Sequence, residues 1–195
     1  MNKKAYLYRV LRPFFTLLFK LYYRPTIENK ESIPKIGACV IAGNHKHALD
    51  PIFVDASTKR VIHTLAKKEL HDGMLGWFFR ALGTISVDLK AEHNKSALDS
   101  AISYLNEGCL INVSPEAKRN YTEEILLPFK VGAVVMAQRT NSKIVPYSIT
   151  GDYCFRSKNL KIVFGKPIEV TELSVDEANE LLFERVKELI VNSRK

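Results

Sequence analysis

The sequence predicts one α/β domain, a mixed and largely parallel central sheet flanked by helices, preceded by an N-terminal amphipathic interfacial helix. Three observations carry this. Short runs that are apolar on both faces alternate with stretches of helical period, the pattern of a sheet covered on each side. A chain of 195 residues with 46% apolar and 26% charged composition is sufficient for one core of ordinary size. The opening MNKKAYLYRVLRPFFTLLFKLYYRP differs from everything after it, being rich in Phe, Tyr and Leu with basic residues spread along it.

Residues 1–27 are read as that first helix and residues 28–195 as the α/β domain. The longest uncharged run near the start, residues 13–19, lies between Arg12 and Lys20. It is far shorter than the roughly 20 apolar residues a spanning helix needs. Arg9 and Arg12 interrupt what would be the apolar centre of a signal peptide, and no small-residue cleavage site follows. What remains is a helix whose apolar side enters the headgroup boundary while its lysines and arginines meet anionic lipid. Packing against the core is the competing reading of the same residues.

Strands are expected at residues 37–42, 61–65, 84–87, 109–113, 144–149 and 160–164. Ala97, Ala101, Ile102 and Leu105 recur at helical spacing within 93–106, and Gly108 follows as a stop. Ser174 and Glu177 form a capping-box pattern ahead of a last helix whose apolar face is Ala178, Leu181, Leu182, Val186, Leu189 and Ile190. Cys39, Cys109 and Cys154 are odd in number and set in apolar surroundings, which reads as buried free thiols in a reducing compartment.

Lys plus Arg exceed Asp plus Glu by 29 to 21, a formal net charge of +8 that favours anionic partners. Nucleic acid is not the expected one, because the aromatics concentrate in the first helix and in apolar runs.

Two clusters hold the chemistry. His45 in NHKHALDP lies just past the carboxyl end of a buried strand, where open α/β sheets place their ligands. Asp50 stands directly before Pro51 and reads as the N-cap of a helix; it also reads as a carboxylate folded back onto the imidazole, and both roles can coexist. A structural histidine and a general base are both open readings of His45 alone, and His47 has no assigned role. The other histidines, His63, His71 and His93, show no companion ligand spacing, so no metal is expected. SPEAKRN, residues 114–120, follows another strand, and there Glu116 and Arg119 beside Lys118 read either as a phosphate site or as a solvated charged loop.

Together the two clusters resemble the glycerolipid acyltransferase family, over about residues 35–170. Asn44, His45 and Asp50 match its Asn-His-x4-Asp block, and Pro115 to Arg119 are similar to its Pro-Glu-Gly-Thr-Arg block. KKEL at 67–70, GTISVD at 83–88, FKVGA at 129–133, IVP at 144–146 and FGKPI at 164–168 look like its other landmarks in order. The resemblance implies acyl transfer from acyl carrier protein or coenzyme A to a glycerol hydroxyl of a lysophospholipid, most simply 1-acylglycerol 3-phosphate, in phospholipid biosynthesis. It implies no tightly bound cofactor, the thioester being a co-substrate. His45 would be the base and Asp50 its orienting carboxylate; Asn44, Glu116 and Arg119, with Lys118 or Lys90, would serve the acceptor. Anionic membrane lipid and an acyl carrier protein become the expected partners, and the cytoplasmic face of a membrane the expected place, with peripheral or monotopic attachment. Two departures stand out. Ala117-Lys118 replaces the usual Gly-Thr, and Asp88 is followed by Leu89-Lys90 rather than directly by arginine.

Overall fold

The structure is a computed structural model that describes residues 5–90 and 94–194. Its elements run α1 (Tyr6–Tyr23), β1 (Thr26–Glu28), β2 (Cys39–Gly43), α2 (Asp50–Asp55), β3 (Ile62–Lys67), α3 (Lys68–Asp72), α4 (Gly76–Ala81), β4 (Ile85–Val87), α5 (Lys95–Asn106), β5 (Leu110–Val113), α6 (Gly132–Arg139), β6 (Lys143–Thr150), β7 (Lys161–Phe164) and α7 (Val175–Ser193). The seven strands form one sheet in the order β1-β7-β6-β2-β5-β3-β4. All neighbours are parallel except β6 and β7, which run antiparallel with Tyr147 opposite Phe164. This is the mixed, largely parallel sheet that the alternation predicts. Each of the six expected strands forms; β1 is an addition, too short to leave a hydrophobic period.

Strand β2 shows why both faces had to be apolar. Cys39 and Ile41 point into a layer with Phe53 and Val54 of α2 and Phe19 of α1. Val40 and Ala42 point into the opposite layer, against α5, α6 and α7 through Ala101, Val134, Leu182 and Val186. Each such fully buried aliphatic side chain contributes about 1.5–3 kcal/mol relative to exposure. At the start of α7, the Ser174 hydroxyl accepts the Glu177 N–H and the Glu177 carboxylate accepts the Ser174 N–H, the expected capping box. Among the cysteines, Cys39 is buried and Cys109 half-buried, but Cys154 is exposed, a correction to the uniformly buried thiols expected.

One side of α1 is bound to the domain. The Tyr8 hydroxyl donates to Asp55 Oδ1 at 2.9 Å, and Arg12 donates through Nε and Nη2 to the Asp55 carbonyl at 3.1 and 3.0 Å. Phe19 is buried with its ring 5.2 Å from that of Phe53. The opposite side presents Tyr6, Val10, Phe14, Leu17 and Leu21, all more than half exposed. No helix among the described residues is long and apolar enough to cross a membrane.

At the amino ends of the strands, Arg60 ties its own loop to two others. Its guanidinium donates to the carbonyls of Pro34 at 2.8 Å and of Gly37 and Gly108 at 2.7 Å each. The opposite, carboxyl edge is left to the two chemical clusters.

Candidate active site

The approach to His45 begins with a close contact between strands. A Cβ on Gly43 would lie 2.3 Å from the Tyr147 carbonyl oxygen, so only glycine lets β2 and β6 come this near. Asn44 then pins the two strands together. Its amide nitrogen donates to the Ile149 carbonyl at 2.9 Å and its oxygen accepts the Ile149 N–H at 2.7 Å. Both amide atoms of Asn44 thus serve the scaffold, where the sequence expected a contact with substrate.

The loop after Asn44 wraps around one carboxylate. Asp50 Oδ2 lies 2.9 Å from His45 Nδ1 and accepts the backbone N–H groups of Lys46 at 2.7 Å and His47 at 2.8 Å. Asp50 Oδ1 accepts the Tyr153 hydroxyl at 2.6 Å. Four donors on one carboxylate explain how Asp50 is tolerated at 1% exposure, since a buried charge must be paired and hydrogen-bonded. The N-cap of α2 is Leu49, not Asp50 as expected, although Pro51 does fall in the first turn. The Asp50 side chain is turned away from its own helix and toward the loop, which gives it the second of its two sequence readings. With the carboxylate beside Nδ1, hydrogen-bond bookkeeping assigns the ring proton there and leaves Nε2 with its lone pair. The His45 side chain remains 23% exposed, so a substrate can reach it.

The main chain of His45 is held from the second cluster. Glu116 Oε1 accepts the His45 N–H at 2.7 Å, Oε2 accepts the Leu127 N–H at 2.8 Å, and the His45 carbonyl accepts the Asn120 N–H at 3.0 Å. Glu116 is 4% exposed; burial pushes its carboxyl above the usual range, opposed by the Leu127 and His45 N–H groups. The sequence placed Glu116 in a phosphate site with Arg119. The fold commits both of its oxygens to backbone instead.

Next to it, Ala117 has φ of +59°, in the left-handed region. That is the place of the glycine in the block it resembles, and the positive φ supplies the reason for glycine there. Lys118 and Arg119 are exposed on the same loop, with the Arg119 guanidinium 5.7 Å from the Tyr121 ring centroid. Lys90 follows β4, three places along the sheet from β2, at the same carboxyl edge. The structure therefore brings His45, Asp50 and Glu116 together, sets Lys118 and Arg119 on the adjoining surface, and puts Lys90 farther away.

Two aromatic rings complete the site. His47 stacks on Tyr153 with centroids 4.3 Å apart, and its Nδ1 accepts the Leu49 N–H at 3.2 Å. Tyr153 was not anticipated. It lies 103 residues from Asp50, and the only signal was its place just after a strand whose carboxyl end borders β2. Around this arrangement, a hydroxyl brought to Nε2 of His45 can lose its proton while Asp50 stabilises the imidazolium formed.

Comparison with known proteins gives the family. Residues 24–150 match the family model described as Acyltransferase. The chain is 28% identical over 176 residues to the 1-acyl-sn-glycerol-3-phosphate acyltransferase of Bacillus subtilis, covering 84% of this chain and 86% of that protein. It is 31% identical over 188 residues to the protein of the same name from Saccharomyces cerevisiae, covering 87% of this chain but only 59% of the relative. The fold matches the crystal structure of the 1-acyl-sn-glycerophosphate (LPA) acyltransferase PlsC from Thermotoga maritima with a TM-score of 0.78 at 24% identity, over 97% of this chain and 80% of that one. The family match takes in both the His45 loop and the Glu116 loop, and this chain belongs to the acyltransferase family of enzymes.

Proposed function

We propose that the protein transfers a fatty acyl group from an acyl carrier protein or coenzyme A thioester to the free hydroxyl of 1-acylglycerol 3-phosphate. The observation that carries this is the 2.9 Å contact between His45 Nδ1 and Asp50 Oδ2 at the carboxyl edge of the sheet. His45 Nε2 takes the proton of the acceptor hydroxyl, and the oxygen attacks the thioester carbonyl. The tetrahedral intermediate then expels the thiolate, which regains a proton from the imidazolium. The N–H groups of His45, Lys46 and His47 already serve Glu116 and Asp50, so they are spent as donors to the oxyanion.

Arg119 and Lys118, exposed beside the site, serve the acceptor phosphate, with Lys90 a more distant cation at the same edge. The exposed apolar face of α1 supports peripheral attachment at the cytoplasmic face of a membrane, where acceptor and product both reside. The net charge of +8 suits anionic lipid and an acidic carrier protein alike. One observation favours a second reading, a member that binds lipid without turnover or acylates another lysolipid: the glutamate loop carries Ala117 and Lys118 in place of Gly-Thr.

The test is acyl transfer from both thioester types to a small acceptor panel in mixed micelles, with His45→Ala alongside. Transfer to 1-acylglycerol 3-phosphate that the variant loses by 1,000-fold or more, on the order expected when a catalytic base is removed, supports the reading. Folded, vesicle-bound wild type without turnover on any acceptor would favour the lipid-binding alternative.

A further inference from the structure

We infer that Tyr153 is a positioning residue for the His45–Asp50 pair and that it joins this pair mechanically to α1. The inference rests on the acyl-transfer reading above and deepens it. Asp50 Oδ1 receives the Tyr153 hydroxyl at 2.6 Å and no other donor among the described residues, while Oδ2 receives three. With Asp50 at 1% exposure, losing that hydroxyl leaves one oxygen of a buried carboxylate without a partner. The carboxylate then either rotates away from His45 Nδ1 or concentrates its charge on Oδ2. Burial and the neighbouring Asp50 charge hold the Tyr153 phenol far above its ordinary range, so it is a donor at every working pH.

The ring of Tyr153 is itself held by α1. Tyr23 lies edge-on at 5.6 Å and Phe19 at 6.3 Å, with the His47 ring stacked on the other side. The loop that carries Tyr153 is tied to the same helix end: the Arg156 N–H donates to the Tyr22 carbonyl at 2.7 Å, and the Phe155 and Tyr22 rings meet at 5.1 Å. A continuous path thus runs from α1 through Tyr153 and Asp50 to Nδ1 of His45. Hydrogen-bonded aromatic and carboxylate groups of this kind transmit small displacements because packed contacts do not deform freely.

The experiment compares wild type, Tyr153→Phe, Tyr23→Leu and His45→Ala for transfer kinetics, and reads the low-field Nδ1–H proton of His45 by NMR with no substrate present. Tyr153→Phe keeps the ring and loses only the hydroxyl. It should lower kcat about tenfold with both KM values within twofold, about the weight of one charge-assisted hydrogen bond. It should also displace the acid limb of the kcat/KM profile, upward if charge concentrates on Oδ2 and downward if the carboxylate rotates away, and shift the low-field resonance. Tyr23→Leu should give a smaller fall in kcat, about threefold, again without a change in KM. The other titratable or charged groups facing the pair, Glu116, Tyr147, His47 and Lys46, are the same in all variants. Unchanged kcat and pH profile in Tyr153→Phe, or a loss confined to KM, overturns the positioning role, and an unaltered Tyr23→Leu overturns the link to α1. If wild type transfers nothing, the acyl-transfer reading fails on its own, and the resonance still decides: a shift in Tyr153→Phe keeps the hold on the pair, and no shift ends it.

Discussion

Glu116 holds His45 by its peptide nitrogen, accepting that N–H at 2.7 Å while its other oxygen accepts the N–H of Leu127 at 2.8 Å. A carboxylate suits this place because both of its oxygens can only accept. Glutamine has one acceptor and one donor, so Glu116→Gln would set its NH2 against a backbone N–H. The variant should lose about 1–3 kcal/mol of stability, measured by thermal unfolding. Steady-state kinetics should show kcat falling at least tenfold with both KM values little changed. An acceptor KM that rises while kcat holds would instead place Glu116 on the substrate.

Ala117 occupies the left-handed region at φ +59°, which costs an L-residue about 1–2 kcal/mol. Ala117→Gly relieves this, and the extra entropy of glycine in the unfolded chain returns roughly 0.4–1 kcal/mol of the gain. The net expectation is a more stable protein by up to about 1.6 kcal/mol, or a rise in Tm of up to about 6 °C. A fall in Tm would mean that the loop does not hold this conformation in solution.

Asp55 lies under α1, where burial pushes its carboxyl up to about 7 against the lowering effects of the Tyr8 hydroxyl and Arg12. The same group ionises near pH 3.9 in the unfolded chain, so between these values the folded state holds the extra proton. Its favourable contribution is complete below about pH 4 and is lost as pH rises through about 7. Asp55→Asn keeps an acceptor for Tyr8 and removes the titration. Its Tm relative to wild type should therefore climb steadily between about pH 4 and 8. A constant difference across that range would show that Asp55 does not titrate there.

Phe14, Leu17 and Leu21 point away from the domain at 57, 57 and 63% exposure. Replacing all three with serine should leave Tm within about 6 °C, because surface substitutions of this kind rarely exceed half a kcal/mol each. Flotation with anionic liposomes should fall at least tenfold, since inserting each side chain fully would contribute about 1.5–3 kcal/mol. Equal flotation of the triple variant would move the membrane contact to another surface.

The sheet was legible because burial on both faces leaves a local trace: Cys39 to Gly43 can be read as a strand without knowing what covers it. The place of His45 and Asp50 followed from strand order and loop length. The scaffold contacts of Asn44 and Glu116 went unread because their partners are the peptide groups of Ile149, His45 and Leu127. Every residue type carries a peptide group, so no sequence pattern announces such contacts. Tyr153 was silent for a different reason, since its distance from Asp50 along the chain is closed only by strand pairing. The Asp50-Pro51 signal was correct about a helix and wrong about the cap by one residue, which left the carboxylate free for the imidazole.

Arg60 gives the sheet a fixed end. Three carbonyls from two loops, the one before β2 and the one before β5, are drawn to one guanidinium, on the side remote from His45. A lysine has neither the planar fork nor the number of donors to replace it there. The foundation and the workshop are thus largely separate: exposed residues of the loops at the carboxyl edge, unlike the buried Asn44 and Glu116, can change without loosening the frame that carries them. Substitutions such as Ala117-Lys118 fall among these exposed and half-buried loop positions, where a new binding preference can arise before the fold is put at risk.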